Sequence, residues 1–366
     1  MLVKGTPVPR KGIRNILIIQ LGDIGDVVWA LPAFRAVKEF YGGARLSLLV
    51  RGGTGSLLAG DPLIDDIFEV TGGETTLFKR LQKDLLLIGA LRRKGFDLVF
   101  DLRLDDRGAY MARFTGAPIR VTHYSETLSW RNRLFTHLVE PPASAEPVRG
   151  AAEQSLRIIR EFGIESKDPI PRLEISEAIL RRASRLLKGA GVSEGKRWIT
   201  LNPFSRWRYK EWGYEKWVEI IEWLWRDYEI ATVIVGAAAE RERAEHIAGR
   251  CNVSVCNLTG ETGLDELAGV LSLSRFHVGV DSAAPHIAAA TGTPTAIIYG
   301  PSSWRDWAPL GDRHIIIAPD CECAPCHQKG CNGTGWSRCL EELGVDTVKQ
   351  AVQGGIERCV IGGKAH

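Results

Sequence analysis

An α/β protein of two doubly wound, parallel-sheet domains is what this sequence predicts. Short β-branched runs alternate with longer helical patterns, a proline-bearing stretch breaks the rhythm near the middle, and the alternation then starts again. At 366 residues the chain is long enough for two separate cores. Its 45% apolar and 25% charged residues are the balance of an ordinary folded protein, not of a disordered or fibrous one.

In the first half, Ile16 to Leu21, Leu46 to Val50, Ile67 to Val70 and Leu98 to Leu102 read as buried parallel strands. Between them, Val27, Ala30, Leu31, Phe34 and Val37 recur at helical spacing, as do Leu77, Leu81, Leu85, Ile88 and Leu91. The segment from Glu165 to Ser176 has two prolines and no long apolar face. It reads as a linker, which sets an N-terminal domain at 1–175 and a C-terminal one at 176–366. A second series follows, with strands at Trp198 to Leu201, Ala231 to Val235, Val253 to Val255, Phe276 to Val280 and Thr295 to Tyr299, and a helix carrying Trp217, Ile220, Ile221 and Leu224. Two such domains in tandem form a cleft where the carboxyl ends of both sheets face each other, the usual ligand position in open parallel sheets.

No apolar stretch approaches the roughly 20 residues of a membrane-spanning helix. Basic Lys4, Arg10, Lys11 and Arg14 precede only the short run Ile16 to Leu21, so no secretory leader is expected and the chain is placed in the cytoplasm. Five of the eight cysteines fall between Cys321 and Cys339, where a reducing compartment argues against disulfides. Net charge is +3, yet residues 1–150 hold 21 Lys plus Arg against 16 Asp plus Glu, while the rest holds 26 against 28. That asymmetry suits an anionic partner for the first half, met by Arg51, Arg103, Arg107, Arg113, Arg120, Arg131 and Arg133. Solvated basic helix faces such as Arg92-Arg93-Lys94 account for it equally well.

Four strand-to-helix turns carry candidate chemistry. After the first strand, Gly22-Asp23-Ile24-Gly25-Asp26 lets the backbone turn tightly at a helix start, where N–H groups are open. A helix N-cap is the plain account of Asp26. The turn is not G-x-G-x-x-G, and the second strand ends in Val50-Arg51 without the acid a nicotinamide dinucleotide wants. Asn202 to Trp212 brings Ser205, Arg206, Arg208 and Lys210 to a strand end, three cations and a hydroxyl suited to a diphosphate. A stacked Arg/Trp surface patch is the alternative there. In Asp281-Ser282-Ala283-Ala284-Pro285-His286 the small residues at 282–284 leave backbone N–H groups for phosphate, and Asp281 can accept from sugar hydroxyls. Asp281 as an N-cap and His286 as a core histidine are the competing accounts. In Gly236 to Glu240, Glu240 can take two ribose hydroxyls, although an acid in a first helical turn is favourable without a ligand. Together the four turns describe a nucleotide-sugar cleft. Cys321, Cys323, Cys326, Cys331 and Cys339 offer one C-x-x-C and further thiols, either a structural zinc site or free thiols in a packed loop. P-loop, zincin and serine-hydrolase signatures are missing.

Taken in order, ILIIQLGDIGDVVWALPAFRAVK, NPFSRWRYKEW and VGVDSAAPHIAAATGTPTAIIYGPSS resemble the ADP-heptose:lipopolysaccharide heptosyltransferases, glycosyltransferase family 9, over about residues 15–345. The stretch from Cys323 to Cys339 resembles one found in many members. The resemblance implies a GT-B fold with donor on the second domain and acceptor on the first, and inverting transfer of heptose from ADP-heptose to a sugar of the lipopolysaccharide inner core, without metal or cofactor. It makes Asp26 the general base beside Gly25, and Lys210 the cation on the donor phosphates, with Ser205 and Arg206 in the same loop. It makes Asp281 the heptose-holding acid, Ser282, Ala283 and Ala284 the phosphate turn with His286 behind it, and Glu240 the ribose acid. Ala283 departs from the glycine usual at that place. The implied partners are ADP-heptose and an anionic glycolipid, with no nucleic acid, and the glycolipid leaves room for peripheral contact with the inner face of the cytoplasmic membrane. A nucleotide-sugar epimerase or a non-catalytic sugar-nucleotide-binding module on the same plan would share the cleft.

Overall fold

The structure, a computed structural model, describes residues 1–70, 72, 77–103, 105–140, 151–192 and 195–361. The chain divides into two compact units, Met1–Leu173 and Glu174–His366.

In the first unit, strands β1 (Leu2–Lys4), β2 (Asn15–Gln20), β3 (Arg45–Arg51), β4 (Asp66–Val70), β5 (Leu98–Asp101), β6 (Ile119–His123) and β7 (His137–Val139) make one sheet in the order β1-β7-β6-β5-β2-β3-β4. All its pairs are parallel except β1 with β7, so β1 closes the edge by running antiparallel. Helices α1 (Ile24–Phe40), α2 (Gly55–Leu58), α3 (Leu77–Arg93), α4 (Asp106–Phe114), α5 (Ser129–Asn132) and α6 (Ala152–Arg160) connect or cover the strands. A core that includes Leu17, Ile19, Leu49, Val99 and Phe135 forms on these crossovers. Each fully buried aliphatic side chain there contributes about 1.5–3 kcal/mol.

The second unit has helices α7 (Glu177–Gly189), α8 (Tyr214–Tyr228), α9 (Arg241–Arg250), α10 (Leu264–Leu273), α11 (Ala283–Ala290), α12 (Trp304–Trp307), α13 (Arg338–Glu342) and α14 (Val345–Ile356). Its strands are β8 (Trp198–Asn202), β9 (Ala231–Ile234), β10 (Val255–Asn257), β11 (His277–Val280), β12 (Thr295–Ile298) and β13 (His314–Ile317). They form an all-parallel sheet in the order β10-β9-β8-β11-β12-β13, the 3-2-1-4-5-6 arrangement of a Rossmann fold. Fully buried Trp212 and Trp217, packed edge to face at 5.3 Å, anchor its core with Ile220, Ile221 and Val278.

Strand order reverses between β2 and β5 in the first sheet and between β8 and β11 in the second. Carboxyl ends at such switch points splay the following loops apart and leave room for a ligand. Those four ends carry Gly22–Asp26, Asp101–Arg103, Asn202–Lys210 and Asp281–Ser282.

The expected strands are present within one or two residues, and β1, β6, β7 and β13 are additional. β1 and β7 have three residues each, too few for a period to show. A larger departure concerns α3. Its regular apolar spacing predicts a core-facing stripe, yet Leu81 and Leu85 are 56% and 60% exposed, and only the carboxyl-terminal end, through Leu91, enters the core.

Candidate active site

β2 delivers the chain to a turn at Leu21–Asp23, from which α1 starts. Asp23 is the N-cap of α1; Asp26 lies three residues on, where its Oδ2 accepts the Asp23 backbone N–H at 2.8 Å. Asp26 is therefore not itself the N-cap, as the plain account had it. The Arg103 guanidinium makes a close ion pair with the same Oδ2. Oδ1 receives no donor among the described residues. Gly22 is dictated by this arrangement, because a Cβ there would come within 2.5 Å of Asp26 and 2.6 Å of Arg103 Nη1. Gly25 sits half-buried in the first turn of α1.

Arg103 is held from behind by main-chain atoms. Its N–H donates to Asp101 Oδ1 at 3.1 Å, and Arg131 on α5 donates to its carbonyl at 2.7 Å and to Asp101 Oδ2 at 3.0 Å. Asp101 and Arg131 are both 1% exposed. Burial pushes the Asp101 carboxyl up to about 7, against the pull of the Arg131 charge. Arg131 is thus an internal ion-pair partner and not one of the outward arginines expected for an anionic partner. Arg120 is only half-buried, donating to Leu134 O at 2.9 Å, while Arg51 pairs closely with Asp23 and Arg107 pairs with Asp84 at 2.6 Å.

In the second unit, Lys210 ends a short 3-10 turn and its Nζ donates to Asp281 Oδ2 at 2.7 Å. Asp281, at the tip of β11, is 5% exposed, and His286 Nε2 lies 3.5 Å from its Oδ1. Burial alone would raise the Asp281 carboxyl; the His286 hydrogen bond and the Lys210 charge outweigh it and hold the group well below the usual carboxylate range. Ser205 Oγ donates to Asp281 O at 3.4 Å, and Ser282, the N-cap of α11, donates to Asn202 Oδ1 at 2.5 Å. Ala283 and Ala284 are the first two residues of α11, so their N–H groups have no partner within the helix.

Glu211, Arg243 and Asn202 join this cluster without having been singled out from the sequence. Glu211 accepts the Ser205 N–H at 3.0 Å and binds Arg243 Nη1 through both oxygens at 2.7 Å. Arg243 also approaches Glu240 at 3.8 Å and lies over the Phe204 ring at 4.7 Å. Glu240 accepts the Ala237 N–H at 2.7 Å, and burial pushes its carboxyl up. Ser205, Lys210, Glu240, Asp281, Ser282 and His286 thereby belong to one connected set. The Arg206 guanidinium lies over the ring of its neighbour Trp207 at 5.3 Å. Glu211 had a signal in the sequence as the one acid of the 202–212 loop, whereas Arg243 lies 32 residues further on and had none.

All eight cysteines are free thiols. Cys321 and Cys323 bring their sulfurs within 3.8 Å, and burial followed by the neighbouring thiols pushes Cys339 up to about 12. Among the described residues no three His, Cys, Asp or Glu side chains are grouped to hold a metal ion.

The family profile described as glycosyltransferase family 9 (heptosyltransferase) matches residues 85–337, more than half of the chain. This chain belongs to glycosyltransferase family 9. The matched stretch contains Lys210, Asp281 and the rest of the second-unit cluster, while Asp26 precedes it. Lipopolysaccharide heptosyltransferase 3 of Escherichia coli is 26% identical over 294 residues, spanning 78% of this chain and 84% of that protein. Among solved structures, the family 9 glycosyltransferase of Veillonella parvula superposes with a TM-score of 0.78 at 18% identity, covering 96% of this chain and all of that one. ADP-heptose lipopolysaccharide heptosyltransferase II of Escherichia coli follows at 0.76 and 21% identity, covering 94% and 99%. These likenesses establish the fold, the GT-B arrangement of two Rossmann-like halves. Family 9 membership makes the chain a glycosyltransferase and sets aside the epimerase and the non-catalytic binding module.

Proposed function

We propose that this family 9 enzyme transfers heptose from ADP-heptose to an acceptor sugar of the lipopolysaccharide inner core with inversion, the second unit taking the donor and the first the acceptor. The observation that carries the reading is the Lys210–Asp281 pair at 2.7 Å, set at the switch point of a Rossmann sheet beside the open N–H groups of α11. A cation and helix-start N–H groups there suit a diphosphate, and the adjoining buried carboxylate suits sugar hydroxyls. The names of the relatives agree in substrate class.

The acceptor hydroxyl oxygen attacks the anomeric carbon, the bond from that carbon to the phosphate oxygen breaks, and its electron pair leaves on ADP. The hydroxyl proton passes to Asp26 Oδ1, the oxygen that Asp23 and Arg103 leave open. Lys210 and the α11 N–H groups meet the growing negative charge on the leaving diphosphate. Ser205, Ser282, Ala283 and Ala284 line the phosphates, Asp281 with His286 behind it holds the heptose, Glu240 takes the ribose, Arg206 edges the donor loop and Gly25 lets the acceptor approach Asp26. The reaction belongs in the cytoplasm, its glycolipid acceptor presented at the inner membrane.

The test is incubation with ADP-heptose and a heptose-deficient core glycolipid, followed by mass and linkage analysis of the product. Gain of one heptose with inverted anomeric configuration is expected, and none from UDP- or GDP-sugars. Asp26→Asn should lower turnover roughly 100-fold or more while ADP affinity stays within a few-fold. Unchanged turnover would return Asp26 to a purely local role at the start of α1.

A further inference from the structure

Helix α3 displays an apolar stripe outward. Phe78, Leu81 and Leu85 recur at helical spacing and so share one face, with Leu86 beside them. They are 77%, 56%, 60% and 67% exposed, and from 78 to 86 every residue is exposed except Asp84. Such clustering on one projecting helix differs from the single exposed hydrophobics that any surface carries.

Charge says what this face fits. The helix has five Lys plus Arg against one acid, Asp84, which Arg107 of α4 engages at 2.6 Å. Lys79 and Arg80 are exposed beside the stripe, and Arg92 and Arg93 are exposed at its end. From 77 to 133 the sequence holds twelve Lys plus Arg against six Asp plus Glu. A second copy related by a two-fold axis would set these bases against themselves, whereas anionic headgroups pair with them. An apolar stripe flanked by bases is the pattern of a helix that lies in a membrane interface: rings and leucines enter the headgroup–acyl boundary while long basic chains keep their charges at the phosphates.

We propose that this face of α3 docks the enzyme on an anionic lipid surface, with Phe78, Leu81 and Leu85 in the boundary and Lys79 and Arg80 on lipid phosphates. The docking gives the proposed glycolipid transfer its setting and in that sense rests on it, but lipid binding is measured apart from transfer, so either can fail alone.

The experiment is flotation of the full chain with vesicles of phosphatidylglycerol and phosphatidylethanolamine, and with phosphatidylcholine vesicles. Wild type should float with the anionic vesicles and lose them as salt rises. Lys79→Gln with Arg80→Gln should weaken partition roughly 30-fold, and Phe78→Ser with Leu85→Ser roughly 100-fold. Both double variants should keep the wild-type melting temperature and wild-type transfer to a lipid-free acceptor sugar. A wild type that stays unbound would overturn the proposal, as would binding indifferent to both double variants. Light scattering in which the same substitutions dissolve a stable oligomer, without affecting flotation, would assign the face to a second copy and overturn it too. Lipid binding of the expected pattern without any heptosyl transfer would reject the activity and keep the docking face.

Discussion

Lys210 and Asp281 each determine what the other can do. Removing the amine takes a cation from the proposed diphosphate site and leaves a nearly buried carboxylate without its 2.7 Å partner. Lys210→Ala should therefore raise the Kd for ADP roughly tenfold to a hundredfold, the usual worth of one charge-assisted contact, as read by calorimetric titration. Equal affinity in variant and wild type would move the phosphate contact to Arg206 or Arg208. Each residue of the pair was legible in the sequence, since both stand just beyond a strand in a short recognisable run. The pairing was not, because 71 positions separate them. Asp26 was visible for the same reason and Arg103, 77 positions away, was not. Counting charges also put Arg131 on the surface, though it is sealed against Asp101. A count cannot tell a solvated guanidinium from one whose desolvation a buried carboxylate offsets.

Two strand-end groups make the stability of their sheets depend on pH with opposite sign. Asp101, ending β5, is raised by burial to about 7 in the folded chain, against about 3.9 unfolded. The fold binds its proton more readily, so this contribution falls as pH rises from about 4 to about 7. His277, opening β11, has no exposed surface, meets Thr200 Oγ1 at 2.9 Å through Nδ1, and is lowered by burial to about 3. The unfolded chain takes that proton first, so stability is lost as pH falls from about 6.5 toward 3. Urea unfolding across this range should give differences from wild type that slope in opposite directions for Asp101→Asn and His277→Gln, each by about 1.4 kcal/mol per pH unit at most. Asp101→Asn should gain relative to wild type as pH rises, His277→Gln as pH falls, and two flat differences would reject both assignments. Neither group was readable as a titrating one, since burial at a strand end is a product of the assembled sheet. A strand with a long unbroken apolar run, such as Ile16–Ile19 of β2, could be read directly, although Ile315–Ile317 of β13 was not. The α3 periodicity gave the helix correctly but not its surroundings, because the same spacing serves a core and an interface.

Over the whole chain, positive charge gathers in the first half, yet part of it is already engaged: Arg131 is buried, Arg51, Arg103 and Arg107 are ion-paired although Arg51 and Arg103 stay exposed, and Arg113 and Arg133 are exposed as well. The KM for a lipid-free anionic acceptor should still rise several-fold as salt is added, while the KM for the donor, held by closer and partly buried contacts, rises less. An acceptor KM flat in salt would leave the exposed arginines without a part in acceptor capture. Two sheets in tandem were legible because each repeats the strand–helix rhythm; which strands stand side by side was not, since pairing in a parallel sheet skips along the chain. That skipping has a cost during synthesis. The central strand β8 meets β11 through Thr200 opposite His277, 77 positions later, and β2 likewise waits for β5, with Ile16 opposite Leu98. At ribosomal speeds of 5–20 residues per second, a nascent β8 spends roughly 4–15 s with that side unmatched. The backbone N–H and C=O groups along that edge are unpaired for that interval, so the demand for holding chaperones should come in pulses, one per sheet, and slower, cooler expression should give time for capture before neighbouring unfinished chains meet.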